Sequence, residues 1–523
     1  MLRRTVLVLC FLFLNLGLAT AQNYSRLIQR IQQVTRRPEF KHAQFGIEFY
    51  DIAAGKVIYA LNGDKLFVPG STTKLFTEGT ALALLGPNYR FHTRVYGTAP
   101  VNADGVLEGD LVLVAGGDLN LSARVRPDDT LAYVDNDHSY AGYLPGEAVP
   151  GDPLLVLNKL ATQVAEHGVK RVQGRVLVDN SLFSGEKPEP GSGAMISPIV
   201  VNDNLVDVTV TPGAREGQPT SILVSPLTSY LTVVNKTATG SAQSETALHF
   251  SQDITNPDGS HTVTLEGSVA AGWQAALATY KVPTPARFAQ CAFVVALNVA
   301  GIQAMVPPPE PGLDFKTLAS AYTPDNLVAE HISAPLKAEV KVTLKVSQNL
   351  HAATMPYLLG ALVAHQPESA LQGGLNLEHD FLRKAGLDLT AASQADGIGG
   401  PGAAFTPDFM VRYLAYVSKQ PFARDFFEAL PIMGRDGTLA GIQTRSRAVG
   451  HVRAKSGTYI LYNGLNRELL LLGKELAGYV ETRRGRRLAF ALFVNQVPLP
   501  NVDQVDAVGE LLGEIVSAAY DAP

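Results

Sequence analysis

The chain has 523 residues, of which 46% are hydrophobic and 17% are charged. This length exceeds what one hydrophobic core accommodates, so we expect about two to four domains, and the hydrophobic content excludes a largely disordered chain. The formal net charge of -5 leaves no basic excess for binding a nucleic acid or an anionic membrane.

The first residues have the pattern of a secretory signal peptide. Arg3 and Arg4 form a basic n-region, an apolar run continues to Leu18, and Ala19 and Ala21 supply the small residues of a cleavage site. The alternative is a transmembrane anchor, but the apolar run is shorter than a bilayer span requires. We therefore predict a signal peptide over residues 1–21 and a protein exported to the periplasm or another extracytoplasmic compartment. We expect no stable membrane anchor after cleavage.

Cysteine and histidine usage gives little basis for a disulfide or a metal site. Cys10 lies within the predicted signal peptide, so Cys291 would be the single cysteine of the mature chain. A chain of this length builds cores that need no disulfide. The sequence contains neither His-Glu-x-x-His nor Cys-x-x-Cys, and its histidines are scattered. We expect no metal and no cofactor.

Helical and strand patterns alternate at the start of the mature chain. Leu27, Ile31 and Val34 recur at helical spacing. Two strands, "FGIEFYDI" and "KVIYAL", follow and are separated by an Ala-Ala-Gly turn. The next stretch, "VPGSTTKLFTEGTALALLGPN", predicts a helix that ends at Gly86-Pro87.

From about Phe91 to about Met305 the sequence is rich in strand patterns. Short runs such as "RVYGTAPV", "GDLVLVAGGD" and "LVDVTVTPG" are separated by turn residues, and only one clear helix, "LNKLATQVAEHG", is predicted. After the Pro-rich segment "VPPPEPG", helices return together with two strong strands, "ELAGYVET" and "RLAFALFVN". A last helix, Val502 to Ala519, has an acidic polar side, which favours packing on a sheet over membrane binding.

Three short motifs carry the chemistry. Ser71 and Lys74 share one face of a predicted helix start, and a desolvated lysine loses its proton readily and can act as a base. Alone, this pair also fits an N-cap serine followed by an exposed lysine. However, Ser347-Gln348-Asn349 and Lys455-Ser456-Gly457-Thr458 follow later in the chain. In this order the motifs are typical of penicillin-binding proteins and serine β-lactamases.

The chain resembles the low-molecular-mass class C penicillin-binding proteins of type 4, which are D-alanyl-D-alanine carboxypeptidases and endopeptidases. The resemblance covers nearly the whole mature chain and includes "FVPGSTTKLFTEGTALALLGPNYRFHTRVYG", "GDLVLVAGGDLNLS", "LPIMGRDGTL", "AKSGT" and "LAGYVETRRGRRLAFALFVN". The 276 positions from Ser71 to Ser347 also agree with this family, which inserts domains there, whereas class A β-lactamases keep the interval short.

The resemblance implies an α/β (α+β) transpeptidase fold of the penicillin-binding and serine β-lactamase type. In this fold an antiparallel sheet is flanked by helices, and β-rich inserted domains lie between the first two motifs. The implied division is a first catalytic segment over residues 22–92, an inserted region of two small domains over 93–305, and a second catalytic segment over 306–523. The implied partners are peptidoglycan peptides ending in D-Ala-D-Ala, with β-lactams as covalent inhibitors.

The resemblance also implies catalytic roles for the first two motifs. Ser71 would attack the carbonyl between two D-alanines and become acylated, while Lys74 would take the proton of its hydroxyl. Ser347 would relay a proton toward the leaving amine and from water. Asn349 would hold Lys74 or the amide of the substrate.

The third motif is implied to bind the substrate. Lys455 would supply positive potential, and the hydroxyls of Ser456 and Thr458, on either side of Gly457, would bind the terminal carboxylate. The backbone N–H groups of Ser71 and Thr458 would form an oxyanion hole, where negative charge develops in the tetrahedral intermediate.

The sequence departs from the family pattern at several places. Gly70 stands where the family more often has alanine, and "DGIG", at 396–399, replaces Asp-Gly-Ser-Gly. The segment Tyr459 to Glu475 is longer than the usual connection between the third motif and the next strand, and Asn463-Gly464 within it suggests a tight turn. Our hypothesis is that this segment reshapes access of the substrate to the active site.

Three alternatives to a peptidase are open at this stage. The first is a non-catalytic, cell-wall-binding relative, which the presence of every chemically required side chain disfavours. The second is a serine β-lactamase, but "ESALQ" at 368–372 lacks the asparagine of the Glu-x-x-Leu-Asn loop and fits a helix start better. The third is an unrelated serine esterase, for which no Gly-x-Ser-x-Gly elbow is present.

Overall fold

The computed structural model describes residues 24–141, 146–310, 312–502 and 504–522, and the predicted signal peptide lies outside these residues. The chain folds as two compact units. Unit 1 consists of the described residues up to Gly79 together with those from Glu378 onward, and unit 2 is Thr80–Leu377. The extents of the catalytic segments and of the inserted region, as expected from the sequence, stay predictions.

The four helices that the sequence patterns place near residues 27–34, 74–85, 157–168 and 502–519 begin and end close to those positions. The α-helices are α1 Ser25–Thr35, α2 Lys74–Leu84, α3 Leu155–Glu166, α4 Pro285–Val299, α5 Leu336–Val346, α6 Asn349–Leu362, α7 Ala370–Lys384, α8 Pro407–Val417, α9 Ala423–Ala429 and α10 Gln504–Tyr520. The start of α7 follows a 3-10 turn at Pro367–Ser369, which confirms that "ESALQ" is a helix start.

The strands group into separate sheets in the two units. They are β1 Gln44–Asp51, β2 Lys56–Leu61, β3 His92–Gly97, β4 Val106–Leu107, β5 Leu111–Val114, β6 Arg171–Val172, β7 Val176–Asp179, β8 Leu205–Thr211, β9 Ser221–Ser225, β10 Leu231–Gly240, β11 Ala247–Thr255, β12 His261–Ala270, β13 Ala276–Lys281, β14 Leu327–Ile332, β15 Ala392–Ser393, β16 Ala404–Phe405, β17 Val452–Asn463, β18 Glu468–Glu481 and β19 Arg487–Leu499.

Unit 1 is built on one antiparallel sheet with the strand order β17-β18-β19-β1-β2. Ile47 and Phe49 on β1 point into a core that also contains residues of α1 and α10. Glu48, between them, points to the opposite face, because side chains alternate along a strand. There it lies near Asp408 of α8. Helices therefore cover both faces, and the prediction that the last helix packs on a sheet is confirmed.

Strands β17 and β18 form a hairpin that continues well beyond the third motif. Their pairing runs from Val452↔Val480 to Asn463↔Glu468, so the reversal follows Asn463, as the Asn-Gly pair suggests. Between Tyr459 and Ile460 the register shifts, because Leu472 of β18 is an extra residue without a partner opposite. A bulge of this kind bends the ladder locally. The long segment after Thr458 is therefore an ordered extension of two sheet strands.

Unit 2 contains a four-stranded sheet in the order β14-β3-β5-β7 and two three-stranded sheets, β13-β8-β9 and β10-β12-β11. A shared core joins the four-stranded sheet to α3 and α4 and includes Val95, Leu113, Leu160 and Phe293. A smaller core lies between the two three-stranded sheets. The β-rich character expected for this part of the chain is present.

The expectation of only one helix between Phe91 and Met305 is wrong, because α4 is a second one. Pro285 occupies its first turn, a position where the missing N–H costs nothing. Most of α4 is buried, including Phe288, Cys291 and Leu297. A helix that is apolar on nearly all sides lacks the amphipathic period by which a sequence pattern identifies helices.

The tight pairing of β17 with β18 predicts that Gly478→Ala destabilises unit 1. A methyl group at Gly478 would lie 2.2 Å from the carbonyl oxygen of Arg453 and 2.6 Å from Ala454 Cα, both of which are backbone atoms of the partner strand. Overpacking of this kind costs about 1–3 kcal/mol. We expect the free energy of unfolding, measured in urea, to fall by this amount. Gly464→Ala, at the end of the same hairpin, is the matched control, because nothing lies within 4 Å of its added methyl. Equal stability of the two variants would contradict the prediction.

Candidate active site

Ser71 lies in a short 3-10 turn, Gly70–Thr73, that leads directly into α2 at Lys74. The N-cap of the turn is Pro69, so Ser71 does not have the N-cap role that the isolated motif also allowed. The hydroxyl of Thr72 donates to the carbonyl oxygen of Pro69 at 2.6 Å and closes the turn. Gly70 has φ +45, a left-handed conformation that glycine adopts without steric cost.

Aromatic packing fixes the first turns of α2 within unit 1. The ring of Phe76 packs against those of Phe405, Phe409 and Tyr413, with centroid distances of 4.4 to 5.5 Å. The hydroxyl of Tyr413 donates to the carbonyl oxygen of Leu75 at 2.8 Å. These contacts hold the backbone that carries Ser71 and Lys74.

The loop containing "DGIG" supports the same turn from a second side. Asp396 accepts hydrogen bonds from the backbone N–H groups of Ile398, Gly399 and Gly400. A methyl group at Gly399 would lie only 2.0 Å from the carbonyl oxygen of Gly70. The loop therefore keeps this close contact with the turn that contains Ser71, although its sequence departs from Asp-Gly-Ser-Gly.

The turn that contains Ser71 packs directly on β17, where the third motif lies. A methyl group at Gly457 would lie 3.1 Å from the backbone nitrogen of Ser71, and one at Gly70 would lie 3.1 Å from that of Thr458. The structure therefore brings the first and third motifs together. The two backbone N–H groups expected to form an oxyanion hole lie beside this single close approach.

Two lysines of the motifs are buried in unit 1 and interact electrostatically. Lys74 and Lys455 are both fully buried, and Lys455 Nζ donates to the carbonyl oxygen of Ser456 at 2.7 Å. Burial, followed by the charges of Lys74 and Lys474, holds the pKa of Lys455 well below its usual range. The charge of each ammonium group disfavours protonation of the other lysine, so a state in which one of the two amines is neutral is favoured.

The hydroxyl groups of the third motif lie on one face of β17. Ser456 and Thr458 share that face because side chains alternate along a strand. Ser456 Oγ donates to Thr438 Oγ1 at 2.8 Å, which orients the half-buried serine. Thr458 is exposed, and its Oγ1 accepts a hydrogen bond from Lys474 Nζ at 2.8 Å.

Glu475 is a buried carboxyl group that the motifs do not predict. It lies opposite Gly457 on β18 and is 1% exposed. Within the described ranges neither of its side-chain oxygens has a hydrogen-bond partner. Burial raises its pKa well above the usual range, against the opposing effects of Lys474 and Lys455. A methyl group at Gly70 would lie 2.7 Å from Glu475 Oε2, so this side chain occupies the space that alanine needs there.

The second motif lies in unit 2, at the junction of α5 and α6. Ser347 follows α5 with φ 61 and ψ 36, an unusual left-handed conformation for a residue other than glycine. Gln348 caps α6 by accepting from the N–H of Leu350 at 2.9 Å. Asn349 begins α6, and both it and Ser347 are 7% exposed. The Tyr140 hydroxyl donates to the carbonyl oxygen of Ser347 at 2.5 Å, which helps to hold the strained backbone.

A loop of unit 2 packs against the side chain of Asn349. A methyl group at Gly191 would lie 2.1 Å from Asn349 Nδ2. The loop is held by the buried Glu189, whose carboxylate accepts from the N–H groups of Gly191 and Gly193 at 2.6 and 2.8 Å. The asparagine therefore has a wall on one side that comes from a distant part of the sequence.

A buried network of charged side chains supports the second motif within unit 2. Gln348 Nε2 donates to Asp137 Oδ1 at 3.3 Å. Asp137 also accepts from the guanidinium of Arg124, which donates to Asp203 as well. His138 lies between Asp203 and Asp207, with both distances at 2.8 Å. Every member of this network is buried.

His351 connects the same network to α5. Its Nε2 lies 2.8 Å from Asp203 Oδ1, and its Nδ1 lies 2.9 Å from Glu339 Oε1. Burial by itself lowers the pKa of His351, but the carboxylates of Glu339 and Asp203 outweigh it and raise the pKa to about 10. His351 therefore carries a proton at neutral pH and joins two segments that flank Ser347.

The side chains of Asp137, His138 and Asp203 lie close enough together to suggest a metal site. The guanidinium of Arg124, however, already donates to both carboxylates. A guanidinium supplies the positive charge that an ion would bring, and it is charged at every relevant pH. We interpret this cluster as a salt-bridge network that holds the second motif.

Sequence reasoning missed several residues that contact the motifs but come from other segments of the chain. Lys474 and Glu475 lie opposite Thr458 and Gly457 in the β17–β18 register. That register depends on where the hairpin reverses, and the Asn463-Gly464 pair was the available signal. Tyr140 and the Arg124 network carry no local signal, because isolated polar residues in loops look like ordinary turn residues.

The comparisons with known proteins cover nearly the whole chain. Residues 27–511 match the model of the D-Ala-D-Ala carboxypeptidase 3 (S13) family. The chain is 27% identical over 528 residues to a D-alanyl-D-alanine carboxypeptidase of Actinomadura sp. (strain R39), covering 97% of this chain and 87% of that protein. It is 23% identical to D-alanyl-D-alanine carboxypeptidase DacB of Haemophilus influenzae, and the match covers 85% of this chain and 84% of that protein.

A solved structure shows the same fold. The crystal structure of penicillin binding protein 4 (dacB) from Haemophilus influenzae superposes with a TM-score of 0.70 at 20% identity, covering 94% of this chain and 99% of that one. The same protein complexed with a β-lactam superposes with a TM-score of 0.67 and similar coverage. The fold expected from the sequence resemblance is thereby confirmed.

The raised pKa of His351 predicts a loss of stability in alkaline solution. Its folded-state pKa of about 10 lies above the usual value of 6.5, so the stabilising contribution of the imidazolium is complete below about pH 6.5 and is lost as pH rises to about 10. We expect the free energy of unfolding to fall across this window by up to about 1.4 kcal/mol per pH unit. The fall should be shallower in His351→Gln and unchanged in the exposed control His167→Gln. Parallel pH profiles of wild type and His351→Gln would contradict the assignment.

Proposed function

Because the chain belongs to the D-Ala-D-Ala carboxypeptidase 3 (S13) family, we propose that Ser71 is the residue acylated in its reaction. The protein is a serine-type D-Ala-D-Ala carboxypeptidase or endopeptidase. Its substrates are peptidoglycan stem peptides that end in D-Ala-D-Ala. The observation that best supports Ser71 as the nucleophile is the packing of its turn on β17, beside the buried Lys74 and Lys455.

The first half of the proposed reaction forms an ester on Ser71. Its hydroxyl oxygen attacks the carbonyl carbon between the two D-alanines, and Lys74 in its neutral form takes the hydroxyl proton. The burial of both Lys74 and Lys455 supports this role. Two buried ammonium groups that repel each other are not readily both charged, so one of the two amines is favoured in its neutral form. The N–H groups of Ser71 and Thr458 stabilise the oxyanion, and the peptide bond then breaks to release the terminal amine.

The second half of the proposed reaction hydrolyses the ester. During acylation Ser347 relays a proton to the leaving amine. During deacylation it takes a proton from water as the water oxygen attacks the ester carbonyl carbon; the ester bond then breaks, the Ser71 oxygen regains a proton and the shortened peptide leaves with a new carboxylate. Asn349 holds the base or the amide of the substrate. Both roles need a fixed orientation, and Tyr140 and the loop at Gly191 supply contacts that fix these two residues within unit 2.

Recognition of the substrate is assigned to the third motif. When Lys74 is neutral, Lys455 carries the charge of the pair and contributes positive potential. The hydroxyl of Thr458 donates to the terminal carboxylate, and that of Ser456, beyond Gly457, does so by exchanging its bond to Thr438 for one to the ligand. The shared face of the two hydroxyls on β17 supports this assignment. A β-lactam carries a carboxylate beside its reactive carbonyl, so the same groups would position it for acylation of Ser71.

Export from the cytoplasm, to the periplasm or another extracytoplasmic compartment, fits this substrate because peptidoglycan lies outside the cytoplasmic membrane. The proposal that the protein is exported rests on the signal-peptide pattern of residues 1–21. In the part of the chain that the structure describes, no helix combines the length and the apolar character needed to cross a membrane.

The proposed nucleophile predicts a covalent adduct with penicillin. Intact-mass measurement of the mature protein after incubation with benzylpenicillin should show one added penicilloyl group, and Ser71→Ala should show none because the acylated oxygen is absent. D-alanine release from an acetylated peptide ending in D-Ala-D-Ala should also fall by at least about 1,000-fold in Ser71→Ala.

Ser221→Ala is the matched control, because Ser221 is an exposed serine on β9. It should form the adduct and release D-alanine at the wild-type rate. An adduct on Ser71→Ala would show that another residue is acylated. Absence of an adduct on both wild type and Ser71→Ala, with no release of D-alanine by either, would instead favour a non-catalytic binding protein.

A further inference from the structure

We propose that Lys474 is a further substrate-binding residue, whose ammonium group binds the terminal carboxylate of the substrate together with the hydroxyl of Thr458. The inference rests on the proposed function and adds to it a specificity-determining residue. Lys474 lies outside the three motifs, at the end of the long segment that follows Thr458.

Strand pairing places Lys474 directly beside Thr458. The two residues are partners in the β17–β18 register, and side chains directly opposite each other project from the same face of a sheet. Lys474 Nζ lies 2.8 Å from Thr458 Oγ1. The cation is therefore held next to the hydroxyl that is assigned to carboxylate binding.

The direction of the hydrogen bond from Lys474 to Thr458 leaves the Thr458 hydroxyl able to donate its proton to a ligand. An ammonium group has three donors and no acceptor, so the threonine oxygen must accept from Lys474. The proton of the hydroxyl is then available for another acceptor. A carboxylate placed there would receive one bond from Thr458 and a charge-assisted bond from one of the remaining N–H groups of Lys474.

The surroundings of Lys474 keep its stem in place. Burial lowers the pKa of its ammonium group, and the charges of Asp506 and Glu475 oppose this effect and favour the charged form. The stem passes α10, where a methyl group at Gly509 would lie 3.2 Å from Lys474 Cε. The charged groups facing it are Asp506 on α10, Glu475 on β18 and Lys455 on β17. Among the described residues no acid forms an ion pair with Lys474 within 4.0 Å. An ammonium group that is half-buried and lacks a carboxylate partner is suited to bind an anionic ligand.

The position also matches the size of the substrate. The backbone N–H of Thr458 is assigned to the oxyanion, which forms from the scissile carbonyl. The side chain of Thr458 and its strand partner Lys474 lie next to that N–H group. In D-Ala-D-Ala the terminal carboxylate is one residue, or roughly 3.8 Å, beyond the scissile carbonyl. A carboxylate at Lys474 thus identifies the peptide end, and it favours removal of a terminal residue over cleavage within a chain.

The test compares two peptides that differ only at the C-terminus. Diacetyl-L-Lys-D-Ala-D-Ala with a free carboxylate and the same peptide with a C-terminal amide are each assayed for cleavage of the D-Ala-D-Ala bond. We expect wild type to favour the carboxylate peptide, and Lys474→Met to lose about 10- to 100-fold in kcat/KM for it, the effect expected of one charge-assisted hydrogen bond. The loss should lie mainly in KM, and the amide peptide should change less than about 3-fold.

Two further variants separate binding from a structural role. Lys474→Arg keeps the charge and should recover most of the preference for the carboxylate peptide. Lys56→Met changes an exposed lysine on β2, at the opposite edge of the same sheet, and should behave as wild type.

The outcomes distinguish the two proposals. Equal losses on both peptides in Lys474→Met, no loss on either, or equal cleavage of the two peptides by wild type would each overturn the role of Lys474. Failure of wild type to cleave either peptide, together with failure to form the penicilloyl adduct, would overturn the proposed function and this inference with it.

Discussion

The steric fit between Gly70 and Gly457 is the constraint on which the site in unit 1 depends. Neither position has space for a Cβ atom, because each would meet backbone of the other segment or the carboxyl group of Glu475. This approach sets the distance between the turn that contains Ser71 and β17, and with it the position of Ser71 relative to Thr458. The aromatic packing of α2 and the Asp396 loop hold the turn in that place.

The two units treat buried charge in opposite ways. In unit 1, Lys74 and Lys455 are buried and repel each other electrostatically, so the two side chains do not readily carry a charge at the same time. In unit 2, Arg124, His138 and His351 each contact carboxylates, so their charges are satisfied and their positions are fixed. One arrangement supports reactivity, and the other supports the geometry of Ser347.

The sequence predicted the parts of this protein that have a local signature. The three motifs, the strands of unit 1 and the reversal after Asn463 follow from short patterns, and the solved relatives confirm the fold. Helix α4 was missed because apolar residues cover nearly all of its sides, which obscures the amphipathic period. Lys474 and Glu475 were missed because their relation to the third motif exists only across a strand pair, and one residue of slip would reverse their faces.

The bulge at Leu472 has a consequence for how this chain can diverge. It separates the paired residues of the third motif, which continue to Tyr459↔Gly473, from those of the outer hairpin, which begin at Ile460↔Leu471. Insertions or deletions of residue pairs beyond the bulge leave the register of Lys455 to Thr458 intact. The length of the outer hairpin can therefore change without moving the residues from Lys455 to Thr458 out of register with β18.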